Sequence, residues 1–139
     1  MLIHMSRRSY DQFCAVARAL DAVGERWSLL IVRELLGGPR RYTDLHADLP
    51  GVSTDILATR LKQLESEGLV VRRKLERPAS AMVYQLTERG LMLRQVVDAL
   101  GVWGMDALGD PRPTDAVRGH WVTAPVDNPA VGVTPGAES

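Results

Sequence analysis

Cations crowd the middle of this chain. Arg72, Arg73, Lys74 and Arg77 fall within one short stretch, and Arg40, Arg41, Arg60 and Lys62 precede them. Guanidinium and ammonium groups at this density neutralise phosphate oxygens. Beside them lie Ser53, Thr54, Thr59 and Gln63, side chains able to hydrogen-bond base edges in a major groove, where Gln suits adenine and Arg suits guanine. The spacing assigns Thr54 and Thr59 to base edges, Lys62 to a phosphate, and Arg40 and Arg41 to clamping the backbone. Arg77 precedes Pro78, which stiffens a turn, and a narrow minor groove attracts Arg. A second chemistry belongs to Cys14, the single cysteine. It is a candidate redox sensor: Arg18 one helical turn on, and a helix N-terminus beneath it, place positive potential near the sulfur. The alternative is a small, partly buried apolar side chain.

No other constellation points to catalysis. His4, His46 and His120 are scattered without metal-ligand spacing. Phosphate-cradling loops, nucleophile elbows and zinc-protease signatures are missing. Asp44, Asp48, Glu65 and Glu67 are spaced as helix-face charges. The chain is therefore expected not to be an enzyme, and to need neither metal nor cofactor.

These side chains need elements to hold them. From Phe13, apolar residues at Val16, Ala17, Leu20 and Val23 give a helix that Gly24 ends. A second helix is expected to start near Glu25 and to stop at Gly37-Gly38-Pro39. Arg40 to Tyr42 reads as a short extended piece, and Thr43 to Leu49 as a brief helix. Ser53 then caps an amphipathic helix with Leu57, Leu61 and Leu64 on one side, and Gly68 stops it. Two strands follow, Leu69 to Leu75 and Ala81 to Leu86, joined through Pro78. Thr87 opens a final helix bearing Val96, Leu100 and Trp103, which exceed what a small body can bury. Those residues are expected to meet their symmetry mates in a homodimer. The fold class is mainly α with a small β-hairpin wing: a winged helix-turn-helix, dimerising through its N- and C-terminal helices. Two reading helices would then lie about one turn of DNA apart.

Composition bounds the rest. A chain of 139 residues suffices for one domain with its own core, and 5% aromatic content makes that core aliphatic. No apolar run approaches membrane-spanning length and no export signal is legible. A lone cysteine fits a reducing cytoplasm, so a cytoplasmic, nucleoid-associated location is expected. Residues 1–12 read as a lead-in, 13–109 as the DNA-binding domain, and 110–139 as a Pro- and Gly-rich tail with little regular structure, which Trp121 could anchor. The formal net charge of zero weighs against a phosphate binder until the central position of the cations is noted.

The motifs also resemble a known family. They are Cys14-x-Val16, Gly24-x-x-Trp27-x-x-Leu30-Ile31, Gly38-Pro39-Arg40-Arg41-Tyr42, Leu57-x-x-Arg60-Leu61-x-x-Leu64-x-x-x-Gly68-Leu69-Val70 and Tyr84-x-Leu86-Thr87-x-x-Gly90. In that order they resemble the HxlR-type winged-helix transcriptional regulators of the MarR-like superfamily, over about Cys14 to Trp103. Ala15 stands where such proteins usually carry Pro, and the tail lies outside the shared pattern. The resemblance implies a homodimer on a palindromic operator in double-stranded DNA, controlling nearby genes, and the leading expectation is a repressor. It also implies a small-molecule or electrophile effector acting through the N-terminal cysteine. The competing expectation is a winged-helix protein-interaction module that no longer binds DNA.

Overall fold

A computed structural model describes residues 8–76 and 80–121. They fall into two compact units that divide after Leu91. In the first, α1 (Ala15–Val23) begins at Cys14, whose extended backbone supplies no side-chain cap. Its end is enforced at Gly24, where a Cβ would stand 2.5 Å from the Leu20 carbonyl oxygen. Just ahead of α1, Ser9 and Tyr10 are tied to the helix. The Asp21 carboxylate accepts from the Ser9 hydroxyl and from the Tyr10 amide, at 3.2 and 3.0 Å.

Helix α2 (Ser28–Leu35) starts later than the expected Glu25. Glu25 to Trp27 form a turn, closed by the Ser28 amide donating to the Glu25 carbonyl. Trp27 takes a left-handed conformation at φ 82°, a strained region for a bulky residue. After α2, Arg40 pairs antiparallel with Tyr84, so the expected extended piece becomes a bridge to the hairpin. Helix α3 (Tyr42–Ala47) and helix α4 (Thr54–Ser66) complete the helical layer.

Two antiparallel strands, β1 (Val70–Lys74) and β2 (Met82–Leu86), run in register from Val70 opposite Leu86 to Lys74 opposite Met82. The tip falls at 77–79, so the expectation for Arg77 lies outside the described residues. The sequence predicts one continuous helix after Thr87; the structure breaks it into α5 (Glu88–Leu91) and α6 (Arg94–Gly104). Tight docking fixes the first piece. Thr87 accepts from the Gly90 amide and donates to the Gly68 carbonyl, and a Cβ on Gly90 would lie 2.2 Å from the Leu69 carbonyl oxygen. No residue of α6 is buried.

The core is aliphatic, as composition requires. Ile31, Val32, Leu35, Leu45 and Leu49 meet the α4 leucines, and Val70, Val83 and Leu86 extend the core under the hairpin. In the second unit, a short turn after α6 is closed by Arg112 donating to Asp115. Trp121 lies edge-on to His120 and under the Arg118 guanidinium. No described helix is long and apolar enough to cross a membrane.

Candidate nucleic-acid interface

Helix α4 is built to be held from behind. Leu57, Leu61 and Leu64 are wholly buried, each contributing about 1.5–3 kcal/mol relative to exposure. Ser53 caps the helix, its hydroxyl accepting from the Ile56 amide at 3.1 Å. One turn earlier in the fold, the Tyr42 hydroxyl donates to the Thr54 carbonyl oxygen at 2.6 Å, tying α3 to the start of α4. Burial, then the neighbouring Tyr84 and Asp55, raise the Tyr42 phenol above its ordinary value, so it stays a donor at neutral pH.

At 100° per residue, Asp55, Thr59, Lys62 and Ser66 lie within about 50° of the direction opposite the leucines. All four are exposed. Thr54 is exposed toward one flank and Gln63 half-buried toward the other. The Ser53 hydroxyl already accepts from the backbone, which leaves its O–H to donate to a base acceptor.

Arg60 is placed differently from the other cations. Its side chain turns back into the protein. Nε donates to the Arg26 carbonyl oxygen at 2.8 Å, Nη1 to the Gln63 side-chain oxygen at 3.5 Å, and Nη2 lies 3.8 Å from Glu25. In this arrangement Arg60 tethers α4 to the turn before α2, and a base contact would require releasing these bonds.

Arg40 is committed further still. It donates to buried Glu34 at 3.2 Å, to Asp48 at 2.8 Å and to the Asp44 carbonyl oxygen at 3.3 Å. Glu34 carries no exposed side-chain surface and is also paired with Arg33 at 2.9 Å. Burial pulls the Arg40 guanidinium down, but the bond to Asp48 and the charges of Asp48, Glu34 and Asp44 outweigh it, leaving a net upward shift. For Arg33 burial wins over Glu34 and the net shift is downward. The expectation that Arg40 clamps a phosphate thus meets a side chain already spent on α2 and α3. Arg41 differs: it is exposed and, among the described residues, pairs only with Asp44, at 3.1 Å. Such surface pairs contribute little, so Arg41 can be released to a phosphate at small cost.

On the hairpin, Arg72, Arg73 and Lys74 are exposed. The Arg73 guanidinium donates to the Gln85 side-chain oxygen across the strands. Among the described residues neither Arg72 nor Lys74 has an ion-pair partner, so both remain available to phosphates. The hairpin follows α4 through Gly68, whose φ of +78° lets the chain reverse at once. Sequence reasoning left two residues out of this set, Asp55 and Ser66, although the same helical spacing that selects Thr59 places both on the outward line.

The other two proposed sites are separate. Cys14 is exposed at the start of α1. Arg18, one helical turn on, donates its Nε to the Gln12 carbonyl oxygen at 3.0 Å. On α6, Val96, Leu100 and Trp103 are exposed, Trp103 at 82%. With Gln95 and Ala99 they line a shallow apolar groove. Phe13, just ahead of α1, is fully exposed, and Val16 and Leu20 on α1 are exposed as well.

A buried leucine row, an outward polar row and a cationic hairpin are the parts of a winged helix-turn-helix, and the comparisons with known proteins decide its kind. The pattern of HxlR-like helix-turn-helix proteins matches residues 22–111. The chain belongs to the HxlR-like helix-turn-helix family. It is 34% identical over 96 residues to the transcriptional regulator YodB of Bacillus subtilis, spanning 69% of this chain and 85% of YodB. It is 35% identical over 89 residues to YvaP of the same organism, an uncharacterised regulator, spanning 64% and 82%. Among solved structures, reduced YodB of B. subtilis superposes with a TM-score of 0.60 at 32% identity, covering 73% of this chain and 99% of that one. The redox regulator HypR in its oxidised form superposes with a TM-score of 0.62 at 26% identity, covering 70% and 100%. As an HxlR-like protein the chain is a helix-turn-helix transcriptional regulator with a winged fold, and its relatives are regulators rather than enzymes.

Proposed function

We propose that this HxlR-like regulator is a homodimeric repressor that reads a palindromic operator, with α4 in the major groove and the hairpin on the flanking backbone. The observation that carries this is the division of α4: three leucines wholly buried behind, and an outward row of polar and charged side chains in front. Thr54 and Thr59 meet base edges and Gln63 sits beside them. Lys62, Arg41, Arg72, Arg73 and Lys74 neutralise phosphates, each contributing about one unit to the salt slope. Zero net charge and the inward turn of Arg40 and Arg60 keep nonspecific affinity moderate. The protein works in the cytoplasm, on the nucleoid.

Dimerisation is inferred from the apolar rows on α1 and on α6, each too exposed to be left in water in a stable monomer. Val96, Leu100 and Trp103 meet their counterparts in the second copy. Thiol control is inferred from Cys14 exposed at the start of α1, together with relatives solved in quinone-bound and diamide-treated forms of YodB. Alkylation or oxidation there shifts α1 and with it the spacing of the two reading helices.

Footprinting of the DNA flanking the gene, at two salt concentrations, tests the reading. Protection of a two-fold symmetric site, weakening as salt rises, is the expected result. No salt-dependent binding to any duplex would refute it in favour of a protein-interaction module. Treatment with a quinone should release the wild-type protein from that site and leave Cys14→Ser bound; equal release of both would refute thiol control.

A further inference from the structure

We infer that Asp55 is a specificity-determining residue that selects cytosine in each half-site and rejects bases presenting only acceptors. This rests on the proposed placement of α4 in the major groove and adds to it a base preference. Asp55 lies in the first turn of α4, on the line opposite the buried leucines, beside Thr59 and one turn before it. That is the part of a reading helix that approaches base edges. Its carboxylate is exposed and forms no hydrogen bond or ion pair among the described residues. Nor is it needed as the cap, because Ser53 already satisfies the Ile56 amide.

With Arg60 turned inward to Glu25 and the Arg26 carbonyl, the outward row carries one anion, Asp55, and one cation, Lys62. A carboxylate is an acceptor only. Guanine offers N7 and O6, and thymine O4, so both repel it; adenine sets its N6 amino donor beside the N7 acceptor, whereas cytosine offers the N4 amino donor with no acceptor on its own edge. Among phosphates an unpaired carboxylate is also unfavourable unless it finds such a donor. Asp55 therefore lowers affinity for random duplex and restores it on the matching base, which is how negative charge raises specificity. The tie from Tyr42 to the Thr54 carbonyl oxygen holds the backbone of the first turn, from which this carboxylate projects.

Selection from a pool of duplexes with a randomised core tests this, using the full chain as wild type, Asp55→Asn and Asp55→Ser at one fixed salt concentration. Asn and Ser are both well tolerated in a first helical turn, and thermal unfolding checks that each variant folds. Wild type should enrich a sequence with cytosine at one position per half-site. In both variants that preference should fall by about tenfold or more, the other positions should be retained, and affinity for the unselected pool should rise. Enrichment that the variants leave unchanged at every position overturns the role of Asp55 alone. A pool from which wild type enriches nothing overturns the groove placement and this assignment with it.

Discussion

Replacing Arg40 by alanine separates a structural cation from a phosphate-binding one. The substitution removes a bond to fully buried Glu34, a bond to Asp48 and a bond to the Asp44 carbonyl oxygen. Glu34 keeps Arg33 as partner, so it is not left bare. A charge-assisted bond to a buried carboxylate contributes about 1.5–3 kcal/mol. The Asp48 arm is about a quarter exposed on both sides and contributes less. The expected loss is about 3 kcal/mol. For a unit of this size each kcal/mol shifts Tm by about 4–8 °C, so the midpoint should fall by roughly 12–24 °C. Thermal unfolding by circular dichroism reads this directly. Below the new midpoint, the slope of log affinity against log salt on operator DNA should match wild type, because no phosphate contact has gone. An unchanged Tm together with a slope flatter by about one unit would show that Arg40 binds phosphate and that the ion-pair cluster is incidental.

Three further outcomes follow from the same geometry. Leu61→Ala, at a wholly buried position of α4, should cost about 2–5 kcal/mol; denaturant unfolding that moves by less than 1 kcal/mol would contradict the leucine anchor. Trp103→Glu on the exposed α6 groove should convert a dimer to monomer in sedimentation without lowering the unfolding midpoint of the first unit. Asp44 is held below its ordinary value of 3.8 chiefly by the side-chain bond from Arg41. Its contribution is therefore full above that value and disappears as pH falls through the lower folded one. The stability gap between wild type and Asp44→Asn should be constant at neutral pH and close only in acid below that window; a gap that persists there would refute the pairing.

Local pattern made much of this protein legible. The leucine spacing of α4, its Ser53 cap and its Gly68 stop all act within a few residues, so sequence order alone places the helix and its outward face. The hairpin is equally local, and its strands differ from the expected ones only by an end residue or two. The break between α5 and α6 was not legible, because the periodicity runs through it. What the structure adds is the docking of Thr87 and Gly90 on the Gly68–Leu69 corner, with Thr87 and Gly68 19 positions apart in the chain.

Charge shows the same division most sharply. Sequence names the cations, and all of Arg40, Arg60, Arg72 and Lys74 look equivalent in it. Folding makes them different. Arg60 meets the carbonyl of Arg26, 34 residues earlier in the chain, and Arg40 meets a glutamate that the core has already closed off from water. Arg72 and Lys74 stay at the surface of a two-stranded ribbon. Which cation is free depends on which buried acceptors lie within reach, and that distance exists only once the helices have packed.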